Sequence, residues 1–379
     1  MTPTPFTLHV PEAAITDLQQ RLAATRFPDQ PPGPAWETGA DLAYVQALVE
    51  HWRTGFDWRA AEAGLNAFPQ FKLPLHGIGL HYLHVLGTGP APQPLLLSHG
   101  WPGSVFEFLE LIPHLTDPAR FGGDPADAFT VVAPSLPGYG LSFQPGQERF
   151  NVEDIADCFA SLMTALGYDR FGAQGGDWGG FVTSRLGAVH ADRLVGIHLN
   201  MLAIRRDPSG GATPDEVVYD QQLKAWLREE SAYQAIQGTK PQTLAFALTD
   251  SPAGLAAWIV EKFRAWSDCD GDPANAIPRD RMLANIALYW FTGAIGSSFW
   301  PYYGRLHGSW PIPGTVDVPM GYAEFPHEML RPPRSLAART YTDIQRWSVM
   351  PRGGHFAALE QPEALAAEIR AFFRPLRHT

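Results

Sequence analysis

Five residues, Gly175-Gly176-Asp177-Trp178-Gly179, carry the sharpest chemical signal in this chain of 379 residues. Glycines on both sides of one reactive side chain permit a strained strand-to-helix turn that lifts the side chain clear of the backbone, the form of a nucleophile elbow. The lifted residue is an aspartate, where hydrolases of esters carry serine. The competing reading is a glycine-rich turn with a helix-capping aspartate. As a nucleophile, aspartate implies a particular kind of substrate. A carboxylate attacking an sp³ carbon gives an alkyl ester, whose carbonyl water later cleaves. A serine attacking the same carbon would leave an ether that nothing removes. An aspartate elbow therefore suits displacement at carbon, with an epoxide oxygen or a halide leaving.

Two further segments fit such a site. His99-Gly100-Trp101-Pro102-Gly103-Ser104 follows an apolar strand-like run, in the place from which this kind of elbow draws one oxyanion-hole amide. The second amide comes from the residue after the nucleophile, so the pair would be the backbone N–H groups of Trp101 and Trp178. His99 reads as a structural histidine buttressing the loop, not as the base. Arg352-Gly353-Gly354-His355-Phe356 follows the last strand-like run, and His355 completes the chain order nucleophile, acid, histidine. The acid is open between Glu324 and Glu328, with Asp317 and Asp343 as weaker candidates, and spacing alone does not choose. His76, His81 and His84 cluster in sequence, but strand alternation sends His81 and His84 to opposite faces. With no His-Glu-x-x-His and no Cys-x-x-Cys, neither a metal nor a cofactor is expected. Gly122-Gly123-Asp124 and Gly210-Gly211 read as loop glycines.

The elements that must position these residues alternate between strand and helix. A hairpin is expected from Phe71–Leu75 and Leu80–Leu86. Strands at Pro94–Ser98, Phe129–Ala133 and Phe171–Gln174 precede helices at Val105–Leu115, Val152–Leu166 and Gly179–Val189, and Leu194–Leu199 follows. Such alternation predicts a mostly parallel sheet with helices on both faces. Residues 205–300 break the pattern and read as wholly helical, with Thr213-Pro214-Asp215-Glu216 and Ser251-Pro252 as helix starts. A helical insertion in such a sheet reads as a lid over its carboxyl edge. Strands resume at Val316–Met320 and Gln345–Met350, and the helix Pro362–Phe373 closes the chain. Upstream, Pro11–Arg26 and Asp41–Trp52 have helical rhythm, separated by a proline-rich link, and read as an arm packed on the rest.

Composition narrows the alternatives. With a net charge of −11, the chain lacks the basic balance that nucleic-acid binding requires. Hydrophobic residues make up 45%, enough for a large core, and two cysteines, Cys158 and Cys269, build no disulfide scaffold. Neither a signal peptide nor a run of ~18 apolar residues is apparent, so a cytoplasmic protein without a membrane anchor is expected.

Taken together, these segments resemble the microsomal-type epoxide hydrolases, with the juvenile-hormone epoxide hydrolases and their soluble bacterial relatives. The resemblance runs from about residue 5 to 375. It rests on Phe56-Asp57-Trp58-Arg59, Leu65-Asn66-Ala67-Phe68-Pro69-Gln70-Phe71, the His99–Ser104 and Gly175–Gly179 segments, and Pro137-Gly138-Tyr139-Gly140. Thr239-Lys240-Pro241, Asp250-Ser251-Pro252-Ala253-Gly254-Leu255 and Arg352–Ala358 extend it. It implies an α/β-hydrolase fold with an arm over 1–92, core segments over 93–204 and 304–379, and a helical lid over 205–303. The family's acid lies in a Phe-Pro-x-Glu segment, which maps onto Phe325-Pro326-His327-Glu328 and favours Glu328. Its two lid tyrosines map onto Tyr233 and Tyr302, with Tyr303 beside the second. The phenols have a chemical reason of their own: opening an epoxide releases an alkoxide, which a neutral phenol of pKa ~10 can meet and protonate. The implied activity is cofactor-free hydrolysis of a small hydrophobic epoxide by water to a vicinal diol, with no nucleic-acid partner and with a homodimer left open. Two rival readings are a haloalkane dehalogenase and a catalytically silent small-molecule-binding protein on the same fold.

Overall fold

The continuous apolar runs of the sequence become the middle of a mixed sheet, where both faces are covered and nearly every position is buried. The computed structural model describes residues 2–205 and 213–377, so Gly210-Gly211 lie outside the described residues. Its strands are β1 (Thr4–Pro5), β2 (Gln70–Leu75), β3 (Ile78–Val85), β4 (Gln93–Ser98) and β5 (Phe129–Pro134), then β6 (Phe171–Gly175), β7 (Leu194–Leu199), β8 (Met320–Glu324) and β9 (Ile344–Val349). They form one sheet in the order β1-β2-β3-β5-β4-β6-β7-β8-β9. The pairs from β1 to β5 are antiparallel, and every pair from β5 through β4 to β9 is parallel. This is the mostly parallel α/β sheet that the alternation predicts.

The strand order reverses at β4, which pairs β5 on one side and β6 on the other. Such a switch point opens a crevice at the carboxyl ends of the strands, where ligands bind in α/β sheets. Ser98 at the end of β4 lies opposite Gly175 at the end of β6. The His99–Ser104 loop and the Gly175–Gly179 turn therefore leave the sheet side by side.

Around the sheet run α1 (Glu12–Ala23), α2 (Leu42–Thr54), α3 (Trp58–Asn66), α4 (Leu111–Thr116), α5 (Val152–Ala165) and α6 (Asp177–Val189). Between β7 and β8 come α7 (Pro214–Glu229), α8 (Ala232–Thr239), α9 (Pro241–Asp250), α10 (Pro252–Trp266), α11 (Arg279–Thr292) and α12 (Trp300–His307), the helical insertion read from the sequence. Short α13 (Arg334–Ala337) and α14 (Ala357–Glu360) and the final α15 (Pro362–Phe373) complete the chain. α7 starts on a capping box between Thr213 and Glu216 with Pro214 in the first turn, and Ser251 caps α10 ahead of Pro252. The helices of the N-terminal arm brace the insertion: α1 and α2 pack on α10, and α3 packs on α11.

Three elements differ from the sequence expectation. The strand expected at Val316–Met320 is β8, four residues later, and Val316 makes only an isolated bridge to Tyr341. Pro319 interrupts the run, because it has no N–H to give to a ladder. The helix expected at Val105–Leu115 is a 3-10 turn, Val105–Phe108, followed by α4. Pro113 is tolerated in the first turn of α4 but would break a helix passing through it. The helix α3 was not expected from apolar rhythm. It forms on Asp57, whose side chain accepts the amides of Arg59 and Ala60.

Candidate active site

The site is assembled at the switch point from three loops and three helices. Asp177 is the first residue of α6 and has φ +50°, a left-handed conformation that a side chain rarely adopts. The glycines allow it by removing bulk. A Cβ on Gly179 would lie 1.9 Å from the carbonyl oxygen of Ser98, and one on Gly175 would lie 2.2 Å from that of Gly179. A Cβ on Gly100 would meet Asp177 Oδ1 itself, at 2.3 Å. The turn is therefore pressed against the β4 loop, and the Trp101 amide donates to Asp177 Oδ1 at 2.7 Å. Trp178 sits in the first turn of α6, where an amide has no acceptor within its own helix.

The loop after β4 is pinned from the insertion. On α11, Asn285 Nδ2 donates to the carbonyl of Pro102 at 2.7 Å, and Tyr289 Oη donates to that of Gly103 at 2.8 Å. His99 is buried, with Nε2 accepting the Leu136 amide at 3.1 Å. Burial lowers its pKa to about 4, so it is a neutral buttress for the loop. His81 bonds Ser135 and Gln70 on one side of β3, while His84 bonds Tyr168 on the other.

His355 Nδ1 donates to both oxygens of Glu328, at 2.8 and 3.0 Å, and its Nε2 lies 3.5 Å from Asp177 Oδ2. Both side chains are almost fully buried. Glu324 is elsewhere, accepting the indole N–H of Trp347 at 3.0 Å, so geometry separates the two glutamates that spacing left open. The histidine and acid loops hold each other: the His327 amide donates to the carbonyl of Gly353 at 3.1 Å. Glu360 accepts the amides of Gly354 and Phe356 at 2.9 and 3.0 Å, and Asp268 accepts that of Gly353 at 2.9 Å. Burial alone would lower the pKa of His355, but the charges of Glu328 and Asp177 outweigh it and raise the imidazole well above its ordinary range.

Tyr233 on α8 and Tyr302 on α12 close the site from the insertion, with ring centroids 5.8 Å apart. Tyr233 stacks on Trp101 at 5.5 Å, and Tyr302 meets Trp178 edge-on at 4.7 Å. Both phenols are buried, and among the described residues the Tyr302 hydroxyl has no hydrogen-bond partner. Burial, reinforced by the charge of Asp177, raises both well above the usual phenol pKa, so both are neutral donors. Tyr303 points away and stacks between Trp300 and His307. Asp177, Tyr233, Tyr302 and Glu328 all line one cavity of about 630 Å³, whose other walls include Phe181, Leu202, Leu223 and Trp226.

The sequence reading missed Glu107. It faces a recess of about 20 Å³ behind Asp177 and His355, and burial pushes its carboxyl up to about 8. That volume has room for a single water. Its position in the run after Ser104 was the available signal, but the helix expected there gave it no reason to point inward.

An aspartate elbow at the switch point of a mixed sheet, followed in the chain by a carboxylate and a histidine bonded to it, defines an α/β hydrolase. The comparisons agree: a family model described as α/β hydrolase fold matches residues 93–263, and one described as epoxide hydrolase N terminus matches residues 3–108. A relative from Stigmatella aurantiaca is 47% identical over 99% of this chain and 85% of its own length. Epoxide hydrolase 1 of Oryctolagus cuniculus is 37% identical over 97% of this chain and 88% of its own. The crystal structure of juvenile hormone epoxide hydrolase from Bombyx mori superposes with a TM-score of 0.88 at 30% identity, covering 100% of this chain and 95% of that one. The chain belongs to the epoxide hydrolase family. Among the described residues no single helix is long and apolar enough to cross a membrane.

Proposed function

We propose that the protein hydrolyses epoxides to vicinal diols through an alkyl ester on Asp177. The observation that carries this reading is the placement of Tyr233 and Tyr302 on the same apolar cavity as Asp177, with His355 and Glu328 behind the carboxylate. Ring opening needs a nucleophile on carbon and an acid on oxygen at once, and the cavity offers both. A dehalogenase would need donors for a halide where this cavity presents phenols, and a silent binding protein has no use for the histidine and acid behind the carboxylate.

In the first step Tyr233 and Tyr302 donate to the oxirane oxygen while a carboxylate oxygen of Asp177 attacks a ring carbon. The C–O bond breaks, its electron pair stays on oxygen, and a phenol proton follows. The product is a hydroxyalkyl ester. Esterification removes the charge of Asp177, one of the two carboxylates that favour the protonated imidazole, so His355 gives its proton to solvent and is a neutral base when one is needed; it takes a proton back once the Asp177 carboxylate is restored. His355, oriented by Glu328, then takes a proton from water, which adds to the ester carbonyl. The amides of Trp101 and Trp178 receive the oxyanion. Collapse releases the diol and Asp177, and the proton taken from water returns to the phenol. No cofactor enters the sequence of steps.

The test is isotopic. In one turnover with enzyme in excess in ¹⁸O-water, the first diol released should be unlabelled, because its new oxygen comes from Asp177. Immediate full labelling of the diol would mean direct attack by water and would sink the covalent route.

A further inference from the structure

The insertion carries a charged residue that the two-step reaction above leaves unused. Lys262, on α10, is only 5% exposed, in a helix whose other inward positions are Leu255, Ile259, Phe263 and Trp266. A lysine is almost never buried this far without partners that hold its charge. Its carboxylate partner is the adjacent Glu261, which is itself partly exposed. Three ammonium donors are thus offered one carboxylate. Two aromatic rings also lie against the ammonium. Nζ lies 4.6 Å from the ring centroid of Tyr233 and 5.6 Å from that of Trp266, whose ring is in turn 5.1 Å from the imidazole of His355. The cation is held over the face of the phenol that closes the candidate site.

We propose that Lys262 is a positioning residue for ring opening, acting through Tyr233 by stabilising the negative charge that this phenol takes on. The inference rests on the reading of Asp177 and Tyr233 given above. During the first step the charge of the Asp177 carboxylate moves through the breaking C–O bond to the oxirane oxygen. It then moves to the phenol as its proton leaves: carboxylate, epoxide and phenol become ester, alcohol and phenolate, with one negative charge on each side. Burial and the nearby carboxylate both oppose a phenolate at Tyr233. An ammonium over the ring face opposes that penalty, and its attraction grows as the ring becomes negative. Lys262 therefore favours the transition state over the ground state, which is the condition for raising a rate. It does not line the cavity, so ester cleavage should not feel it.

The experiment separates the steps. In the His355→Gln enzyme the ester should persist, so the rate at which intact protein gains the mass of an aryl epoxide reports ring opening alone. Adding Lys262→Met should slow that gain by roughly 10- to 30-fold, the size supported by a desolvated cation on an aromatic face. In a Tyr233→Phe background the same change should have almost no further effect, because the residue it acts through is gone. With His355 intact, the ester formed by Lys262→Met should hydrolyse at the wild-type rate. Equal slowing with and without Tyr233, or slowing of both steps, would make Lys262 a packing residue and overturn the proposal. Should Lys262→Met fail to fold, Lys262→Arg and Lys262→Gln decide the matter: retained ring opening in the first and loss in the second support it, and equal rates overturn it. If His355→Gln gains no mass with Lys262 in place, the ester reading fails and this inference with it. If it gains mass at one rate whatever stands at 262, only this inference fails.

Discussion

At the scale of single residues, the proposed two-step reaction assigns each side chain of the candidate site to one half-reaction or the other. Asp177 and the two phenols face the cavity, while His355 lies behind the carboxylate with Glu328, which also borders the cavity, on its Nδ1. Removing the histidine should leave ring opening intact and block ester cleavage. We therefore expect His355→Gln to accumulate an adduct on Asp177, seen as a mass increase equal to the epoxide. Glu328→Gln should accumulate the same ester more transiently, because the imidazole survives without the carboxylate that stabilises its cation. Glu324→Gln should turn over normally, since that carboxylate only holds the Trp347 indole. An adduct in the Glu324 variant beside a fully active Glu328 variant would reverse the assignment of the acid. Most of these residues were legible in the sequence because each sits in a short glycine- or proline-bearing loop after a strand. Two things were not legible. Spacing could not separate Glu324 from Glu328, because the choice depends on where β8 ends, and Pro319 moves that end. Glu107 and Lys262 lie in apolar runs whose rhythm says only that they belong to helices, and their inward direction is set by tertiary packing.

At the scale of elements, the elbow is a packing problem before it is a chemical one. β4 and β6 must end level with each other, Ser98 opposite Gly175, for the Trp101 amide to reach Asp177. That approach is possible only if α6 begins without side chains on the face that meets the β4 loop. Gly179→Ala places a methyl 1.9 Å from the Ser98 carbonyl, a contact that side-chain motion cannot relieve. We expect it to lose about 1–3 kcal/mol of stability, the ordinary range for overpacking. It should also lose most of its ring-opening rate, because the displaced loop carries the Trp101 amide away from Asp177. Gly64→Ala on α3 is the matched contrast. Nothing lies within 4 Å of its added methyl, so the change should stabilise by up to ~1 kcal/mol through helix propensity. Urea unfolding midpoints and single-turnover rates check both. A Gly179 variant as stable and as fast as the parent would remove the steric account of the elbow. The helix starts at Thr213 and Ser251 were readable because caps are local chemistry. The tight approach of α6 to β4 was readable only as a pair of glycines, since what they approach is 75 residues or more away in the chain.

At the scale of the whole molecule, titratable groups buried in and around the sheet, some of them beside the candidate site, set how stability changes with pH. His81, His99 and His198 are fully enclosed, and burial lowers their pKa values to about 3, about 4 and about 4. In the unfolded chain each titrates near 6.5. Between those values the unfolded state binds more protons than the folded one, so stability is fully present above pH ~6.5 and is lost as pH falls toward 4. Glu107 and Glu360 act in the opposite sense. Burial raises them to about 8 and about 7, so their contribution is present below pH ~4.5 and is lost as pH rises through neutrality. The two sets together place the stability maximum on the acid side of neutral. His198 offers the clearest test, because it lies on β7, packs against Phe372, and has no hydrogen-bond partner among the described residues on either ring nitrogen. Its share of the acid loss is ~3 kcal/mol at pH 4, taking 1.36 kcal/mol per unit between about 4 and 6.5. A glutamine there cannot be protonated. We expect His198→Gln to be less stable than the parent at pH 7, from poorer packing, yet to show a shallower fall in melting temperature between pH 6.5 and 4. The two curves should therefore converge on acidification. Parallel curves would mean that His198 is solvated when protonated or titrates near its unfolded value, and the acid limb would then belong to His81 and His99, which bond to neighbours across the core and change protonation only when those bonds open.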